Sequence, residues 1–157
     1  MRILAYEGIS PISRAIRWQT RSPYSHVAIL TSAGTVIEAV PWHGVVCSGD
    51  PWQYHRPNTR IDVFDFTYPL TDYEERVGLQ WLLAQVGKPY DYRGVIRFVT
   101  RVPHTVNGAW FCSELIAEVC NVMNRPITRL PAHNAAPRDV VASPKLIHTE
   151  RLSGAIL

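Results

Sequence analysis

The sequence predicts an α+β fold in which helices pack against an antiparallel sheet. Short segments rich in β-branched and aromatic residues fill the chain up to residue 66, whereas the longest capped, amphipathic segments come later. The 157 residues are 46% hydrophobic and 18% charged, which is long enough and apolar enough to bury one core. We therefore expect a single domain over residues 1–157.

Strands are predicted where β-branched and apolar residues run together between turn residues. The four segments are RILAYEG, SPYSHVAILTS, TVIEAVPW and RIDVFDF, at residues 2–8, 22–32, 35–42 and 60–66. The second and third are close enough in the chain to form a hairpin. The register of that hairpin decides which of their side chains share a face.

Helices are predicted from capping residues and from apolar residues at helical spacing. The segments are 10–18, 71–87, 111–123 and 137–143, with a weaker helix or irregular segment at 91–101. The helix at 71–87 is the clearest, because Thr71 and Glu74 form a capping box at its start. The rest of the proline-rich tail is interpreted as loops.

Charge and cysteine content exclude several classes of protein. The net charge is only +3 and the basic residues form no run, which argues against nucleic-acid binding. Three cysteines without a CxxC pair indicate reduced thiols. We expect no cofactor and no transmembrane segment. Because no signal peptide is visible, we expect a chain that is cytoplasmic as synthesised, with association with a phage or a cell wall left open.

Cys112 lies in the first turn of the helix predicted at 111–123. It shares the apolar face of that helix with Leu115, Ile116 and Val119, which is typical of a core residue. The same interpretation is adopted for Cys120. A thiol at a helix N-terminus, however, is stabilised as a thiolate by the unpaired N–H groups, which lowers its pKa and can also hold an oxyanion.

His26 and Glu38 are the candidate base and its orienting partner. His26 is the one histidine inside a convincing strand, which would hold a general base rigidly. Glu38 is a charged residue within an otherwise apolar strand. A three-residue hairpin loop ending at Gly34 puts His26 opposite Val40 and Glu38 opposite Ala28 on one face. A loop of two or four residues puts His26 and Glu38 on opposite faces.

Three motifs together resemble a known family of enzymes. SHVAI, GKPYDY and FCSEL are similar to segments of the NlpC-type cell-wall hydrolases, which are papain-like cysteine peptidases. The histidine strand precedes the cysteine helix, as in the circularly permuted branch of that family. The resemblance implies a permuted papain-like fold with Cys112 as nucleophile, His26 as base, Glu38 as orienting residue and Tyr90 near the oxyanion.

The chain also departs from the pattern of that family. Phe-Cys-Ser-Glu stands where unpermuted members have Asp-Cys-Ser-Gly, and Glu114 adds negative charge near the thiol. A hydrophobic insertion at 95–107 could wall the cleft. Arg93, Arg97, Arg101 or Glu114 could bind the charged ends of a peptide, although solvated surface charge is the simpler interpretation of each.

The leading hypothesis is a thiol hydrolase that cleaves an amide bond, with bacterial cell-wall peptides implied by the resemblance. An acyltransferase or esterase acting on lipid acyl groups stays open, as does a non-catalytic binding or phage-associated module with the same fold. A metal site made of His43, Cys47 and either Asp50 or His55 is a further alternative. The expected partners are peptide, cell-wall or acyl substrates; the sequence does not indicate an oligomeric state.

Overall fold

The computed structural model describes residues 1–93 and 108–152 of the chain. Most strands lie in the first part and most helices follow them. In chain order they are β1 (Arg2–Glu7), α1 (Pro11–Thr20), β2 (His26–Leu30), β3 (Val36–Val40), β4 (Gly44–Ser48), β5 (Arg60–Phe66), α2 (Asp72–Leu83), α3 (Cys112–Val122), a 3-10 turn (Ala132–Asn134), α4 (Pro137–Val141) and β6 (Leu146–Leu152).

The six strands form one sheet in the order β4-β3-β2-β1-β5-β6, and every neighbouring pair is antiparallel. β1 lies near the middle, where Tyr6 pairs with His26 on one side and with Ile61 on the other. The predicted α+β class with an antiparallel sheet is therefore confirmed.

The β2–β3 hairpin has the register that a three-residue loop produces. Leu30 pairs with Val36, and the Thr31 N–H donates to the Thr35 carbonyl at 2.8 Å. Gly34 ends the loop with φ of 80°, a left-handed conformation that glycine adopts without a steric penalty. Of the loop lengths that the sequence left open, the structure has the three-residue one, and side chains an even number of positions apart share a face along this hairpin.

The two faces of the sheet bury different partners. One face carries α3, and its core contains the side chains Ile3, Ala5, Val27, Ile29, Ile37 and Ala39 with Leu115, Ile116 and Val119 from the helix. The other face buries a smaller cluster of Leu4, Tyr6, Ala28, Val36, Ile61 and Val63, packed against Trp52. The loop 49–59 therefore covers the face that α3 leaves open.

Two strands were not predicted from the sequence. β4 is only five residues long and follows directly on a turn in which Trp42 and Gly44 have positive φ. β6 reads LIHTERL, and most of its side chains are exposed because it lies at the edge of the sheet. A short strand and a polar edge strand both lack the apolar alternation by which strands are recognised.

The helices agree with the predictions apart from their ends. α1 continues to Thr20, two residues further than expected, and α2 ends at Leu83, from which hydrogen-bonded turns lead to Gly87. The segment predicted at 91–101 lies mostly outside the described residues. Among the helices of the two described ranges, none is both long and apolar enough to cross a bilayer.

Asp62 on β5 is a buried carboxylate held by three different side chains. It accepts hydrogen bonds from Arg151 at 2.7 and 2.8 Å, from the Tyr24 hydroxyl at 2.8 Å and, if its ring is oriented as a donor, from His148 at 3.2 Å. The Arg151 guanidinium is the largest influence and lowers the pKa of Asp62 to about 2. The ionised form is therefore favoured by folding, and its contribution to stability is lost as the pH falls towards 2.

Replacing this carboxylate should produce a pH-dependent loss of stability. We expect Asp62→Asn to lower the free energy of unfolding by roughly 1–2 kcal/mol at neutral pH, because hydrogen bonds to a charged group are lost. The difference from the wild type should shrink as the pH falls from about 4 to about 2, where Asp62 itself becomes protonated. Urea denaturation at both ends of this range measures it.

A matched control is Asp65→Asn, since Asp65 also accepts from an arginine, Arg2, at 2.7 Å, but is far more exposed. We expect a smaller loss there. An Asp62→Asn deficit that is equally large at both pH values would contradict the assignment.

Candidate functional site

Three side chains meet at one carboxylate oxygen on the sheet face that the loop 49–59 covers. His26 Nε2 lies 2.6 Å from Glu38 Oε2, and His55 Nε2 lies 2.8 Å from the same oxygen. His26 begins β2, Glu38 is central in β3, and His55 comes from the loop. The structure thus brings His26 and Glu38 together as a three-residue loop requires, and adds His55, which the sequence suggested only for a metal set with His43 and Cys47.

The charges of this cluster follow from its burial. Burial alone would raise the pKa of Glu38, but the hydrogen bonds from His26 and His55 outweigh it and hold that pKa at about 2. Burial also lowers the pKa of His26, partly opposed by Glu38. At neutral pH Glu38 is therefore ionised and His26 neutral. Because an ionised carboxylate only accepts, Nε2 of His26 carries the proton and Nδ1 keeps a lone pair.

Cys112 is the first residue of α3 and is only 1% exposed. Burial raises the pKa of its thiol to about 12, although the backbone N–H groups of Val27, Ser113 and Cys112 itself act in the opposite direction. The expectation of a lowered thiol pKa is therefore wrong for this conformation. The N–H groups of the helix start are present, as predicted, but the loss of solvation is larger than their effect.

The thiol lies beside the backbone of β2 at the residue that follows His26. The Val27 side chain packs in the same core as Cys112, whereas the His26 ring contacts Tyr6 edge-on at 5.1 Å between centroids. Among the hydrogen bonds of residues 1–93 and 108–152, none joins the thiol directly to His26. Cys112 and His26 thus reach the same end of β2 without a direct hydrogen bond between them in this arrangement.

Tyr90 is held next to the start of α3 by backbone pairing. Tyr90 and Trp110 form an isolated parallel bridge: the Asp91 N–H donates to the Trp110 carbonyl and the Trp110 N–H to the Pro89 carbonyl, both at 3.0 Å. The Tyr90 ring lies 6.0 Å from that of Phe111. Burial, with the nearby Cys112 thiol, raises the pKa of the Tyr90 hydroxyl, which therefore stays protonated as a donor.

A cleft of about 340 Å³ opens beside these residues. His26, His55 and Tyr90 line its floor side, and its rim includes Ile12 of α1 and Trp42, which is 86% exposed. Cys112 is not among the lining residues. The cleft therefore reaches the two histidines and the tyrosine, whereas neither Glu38 nor Cys112 lines it.

The other candidates from the sequence are dispersed. Cys47 is exposed, and His43 contacts Tyr54 instead of a cysteine. Of the proposed metal set, only His55 takes part in a potential ligand cluster within the described part of the chain. Cys120 is buried in the core, as expected.

Of the four charged residues proposed to bind peptide ends, the structure describes two. Glu114 accepts a hydrogen bond from the Phe111 N–H at 3.4 Å, across the start of α3. Arg93 has an exposed side chain, and its backbone N–H donates to Asp91 at 2.9 Å. Arg97, Arg101 and the insertion 95–107 lie outside the described residues.

The sequence suggested His55 only as a possible metal ligand beside His43 and Cys47, not as a partner of Glu38. His55 lies in a loop rich in proline and aromatic residues, and nothing in its immediate neighbours indicates that it reaches Glu38. Its ring stacks on Tyr6 at 4.1 Å, and Tyr6 donates its hydroxyl proton to the Pro51 carbonyl at 3.1 Å. The position of His55 thus depends on how the loop folds over β1, which is tertiary information.

Comparisons with known proteins bear on the fold. Scans against protein-family models and curated proteins find no match. Among solved structures, the chain resembles the crystal structure of metalloprotein yiiX from Escherichia coli O157:H7, described as DUF1105. The TM-score is 0.75, and the 20% sequence identity extends over 96% of each chain. At this identity the similarity shows a shared fold.

Substitution of Gly44 tests how the segment before Tyr90 is held in place. Its φ is 76°, and an added Cβ would collide with the Lys88 carbonyl oxygen, which also accepts from the Val45 N–H at 2.9 Å. We expect Gly44→Ala to lower the free energy of unfolding by roughly 3 kcal/mol, from backbone strain and displacement of this segment. Urea denaturation is the measurement.

Gly34→Ala is the matched control for Gly44→Ala. Gly34 has φ of 80°, but an added Cβ meets nothing within 4 Å, so only the strain of about 1 kcal/mol remains. Equal losses for the two variants would show that the contact with Lys88 does not matter.

Proposed function

We propose that the chain is a thiol hydrolase with a permuted papain-like fold, which cleaves an amide bond through Cys112, His26 and Glu38. The observation that carries this proposal is the buried, ionised Glu38 accepting from His26 Nε2 at 2.6 Å. This bond selects the tautomer of His26 whose Nδ1 can accept a proton. The chain order, with β2 before α3, supports the permuted branch.

The proposed reaction begins with proton transfer from the Cys112 thiol to His26 Nδ1. The sulfur attacks the carbonyl carbon, a C–S bond forms, and the carbonyl π electrons move to oxygen. The Cys112 N–H and the Tyr90 hydroxyl hold the resulting oxyanion. When the tetrahedral intermediate collapses, the C–N bond breaks and the amine leaves with the proton from His26. Water then hydrolyses the thioester, with His26 taking its proton and returning it to sulfur.

The thiol has to turn towards His26 before this transfer. In the resting arrangement it lies against the Val27 backbone, and its raised pKa keeps it protonated. The proposed reaction therefore requires the Cys112 side chain to rotate at the start of α3, from the Val27 backbone towards the preceding residue, His26. Apo structures of catalytic sites are often loose in this way, and the geometry tightens with substrate.

The cleft supports a substrate with both apolar and polar parts. Ile12 and Trp42 offer apolar surface at its rim, and Arg56 contributes a cation. A peptide amide of bacterial cell wall is the proposed substrate class, on the family resemblance. An ester or acyl group on a lipid would meet the same rim, and acyl transfer to an acceptor other than water would use the same thioester.

Alkylation kinetics test the base. In a Cys47→Ala background, which removes the exposed thiol, we expect His26→Ala to slow the reaction of Cys112 with iodoacetamide at pH 7 by about tenfold or more. Glu38→Gln should also slow it, because the amide can donate to Nε2 and so reverse the tautomer. Peptide mass spectrometry assigns the alkylated residue and separates Cys112 from Cys120.

His133→Ala is the control, since His133 lies in the 3-10 turn away from the cleft. If His26→Ala leaves the rate unchanged, the hydrolase proposal is wrong and a binding or phage-associated module is the better conclusion. Turnover of cell-wall peptides and of acyl esters, with Cys112→Ser as the blank, then distinguishes the substrate classes.

A further inference from the structure

The cluster of His26, Glu38 and His55 has the composition of a metal site. One ligand atom from each side chain, an imidazole nitrogen or a carboxylate oxygen, lies within 4.8 Å of the other two. Two imidazoles with one carboxylate are a ligand set that zinc uses, whereas magnesium and calcium prefer oxygen ligands alone. Two of the ligands are on neighbouring strands, and ring stacking on Tyr6 holds the third.

A second observation points to a cation at this position. Glu38 Oε2 accepts both histidine contacts, while Glu38 Oε1 is buried and has no hydrogen-bond partner among the described residues. A buried oxygen of an ionised carboxylate is costly to leave without a donor or a cation. Both imidazoles contact the carboxylate at Oε2. A metal ion bound to the carboxylate would offset the negative charge that these two contacts leave.

We propose that His26, Glu38 and His55 bind a Zn²⁺-class cation, and that the bound ion prevents His26 from acting as a base. With Zn–N and Zn–O distances of about 2.1 Å, tetrahedral ligands lie about 3.4 Å apart. The Nε2–Oε2 distances of 2.6 and 2.8 Å would open to that value by less than about 1 Å. The cleft beside His55 leaves room for a water molecule as a fourth ligand.

The effect on His26 follows from its two ring nitrogens. Coordination through Nε2 places the proton of a neutral imidazole on Nδ1. Nδ1 can then no longer accept the proton of the Cys112 thiol. This second half rests on the proposed function, whereas the binding of the cation does not. The two halves can therefore fail separately.

Calorimetric titration of the chelator-treated Cys47→Ala protein with ZnCl₂ tests the binding. We expect one ion per chain, and an affinity that falls by at least about 100-fold in Glu38→Gln and in His55→Ala. The Co²⁺-loaded protein should show the visible absorption bands of tetrahedral cobalt. His43→Ala, from the other potential zinc set, should bind zinc as the parent does. If the folded parent does not bind zinc, or if both ligand variants bind zinc as tightly as the parent does, the proposed site is wrong.

Alkylation of Cys112 with and without one equivalent of zinc tests the effect on the base. We expect zinc to slow the reaction about tenfold in the parent and to have no effect in His55→Ala, where each variant is compared only with itself. If zinc slows alkylation in both proteins, zinc binds the thiol itself and the proposed effect on His26 is wrong. An unchanged alkylation rate in the zinc-loaded parent would also contradict that effect. If His26→Ala does not alter alkylation without zinc, the hydrolase proposal fails while the calorimetric result stands.

Discussion

The arrangement of this protein depends on a buried negative charge on β3, the strand next to the sheet edge β4. Glu38 is fully buried on β3, where an isolated carboxylate would take up a proton. It stays ionised because His26 and His55 both reach Oε2. His55 in turn requires the loop 49–59 to lie over Tyr6. The hairpin, the central strand and the loop are therefore coupled, since disturbing any of them uncovers the charge.

Much of this hairpin could be predicted from the sequence, because its register follows from local geometry. Gly34 can adopt positive φ and so permits a three-residue loop, and with a loop of that length the alternation of side chains places His26 and Glu38 on one face. His55 could not be found in this way, since its position depends on a loop folding across β1. The same is true of β6, whose polar residues form a strand only because β5 offers a free edge.

The pKa of Cys112 was predicted in the wrong direction for a related reason. A helix N-terminus can be recognised from sequence, and its dipole stabilises a thiolate by about 0.3–1 kcal/mol, or about 2 kcal/mol in favourable partly buried sites. Full burial shifts a pKa by as much as 3–5 units, and each unit corresponds to about 1.4 kcal/mol. How deeply the sulfur is buried depends on α3, β2 and Tyr90 together, which the sequence of one helix does not reveal. In the resting conformation the thiol is thus buried and protonated.

Because the thiol is buried and His26 lines the cleft, the tautomer of His26 decides which of the two proposed roles its ring can have. With the Nε2 proton directed at Glu38, Nδ1 is the one acceptor of this ring, and the nearby thiol is the group whose proton it could take. With a cation on Nε2, the proton moves to Nδ1 and the ring becomes a ligand. Both states use the same three side chains and satisfy Oε2, and the cation in addition offsets the charge of a carboxylate whose Oε1 has no partner among the described residues. In the two proposals, a thiol-based reaction and a filled metal site are thus alternative states of one cluster.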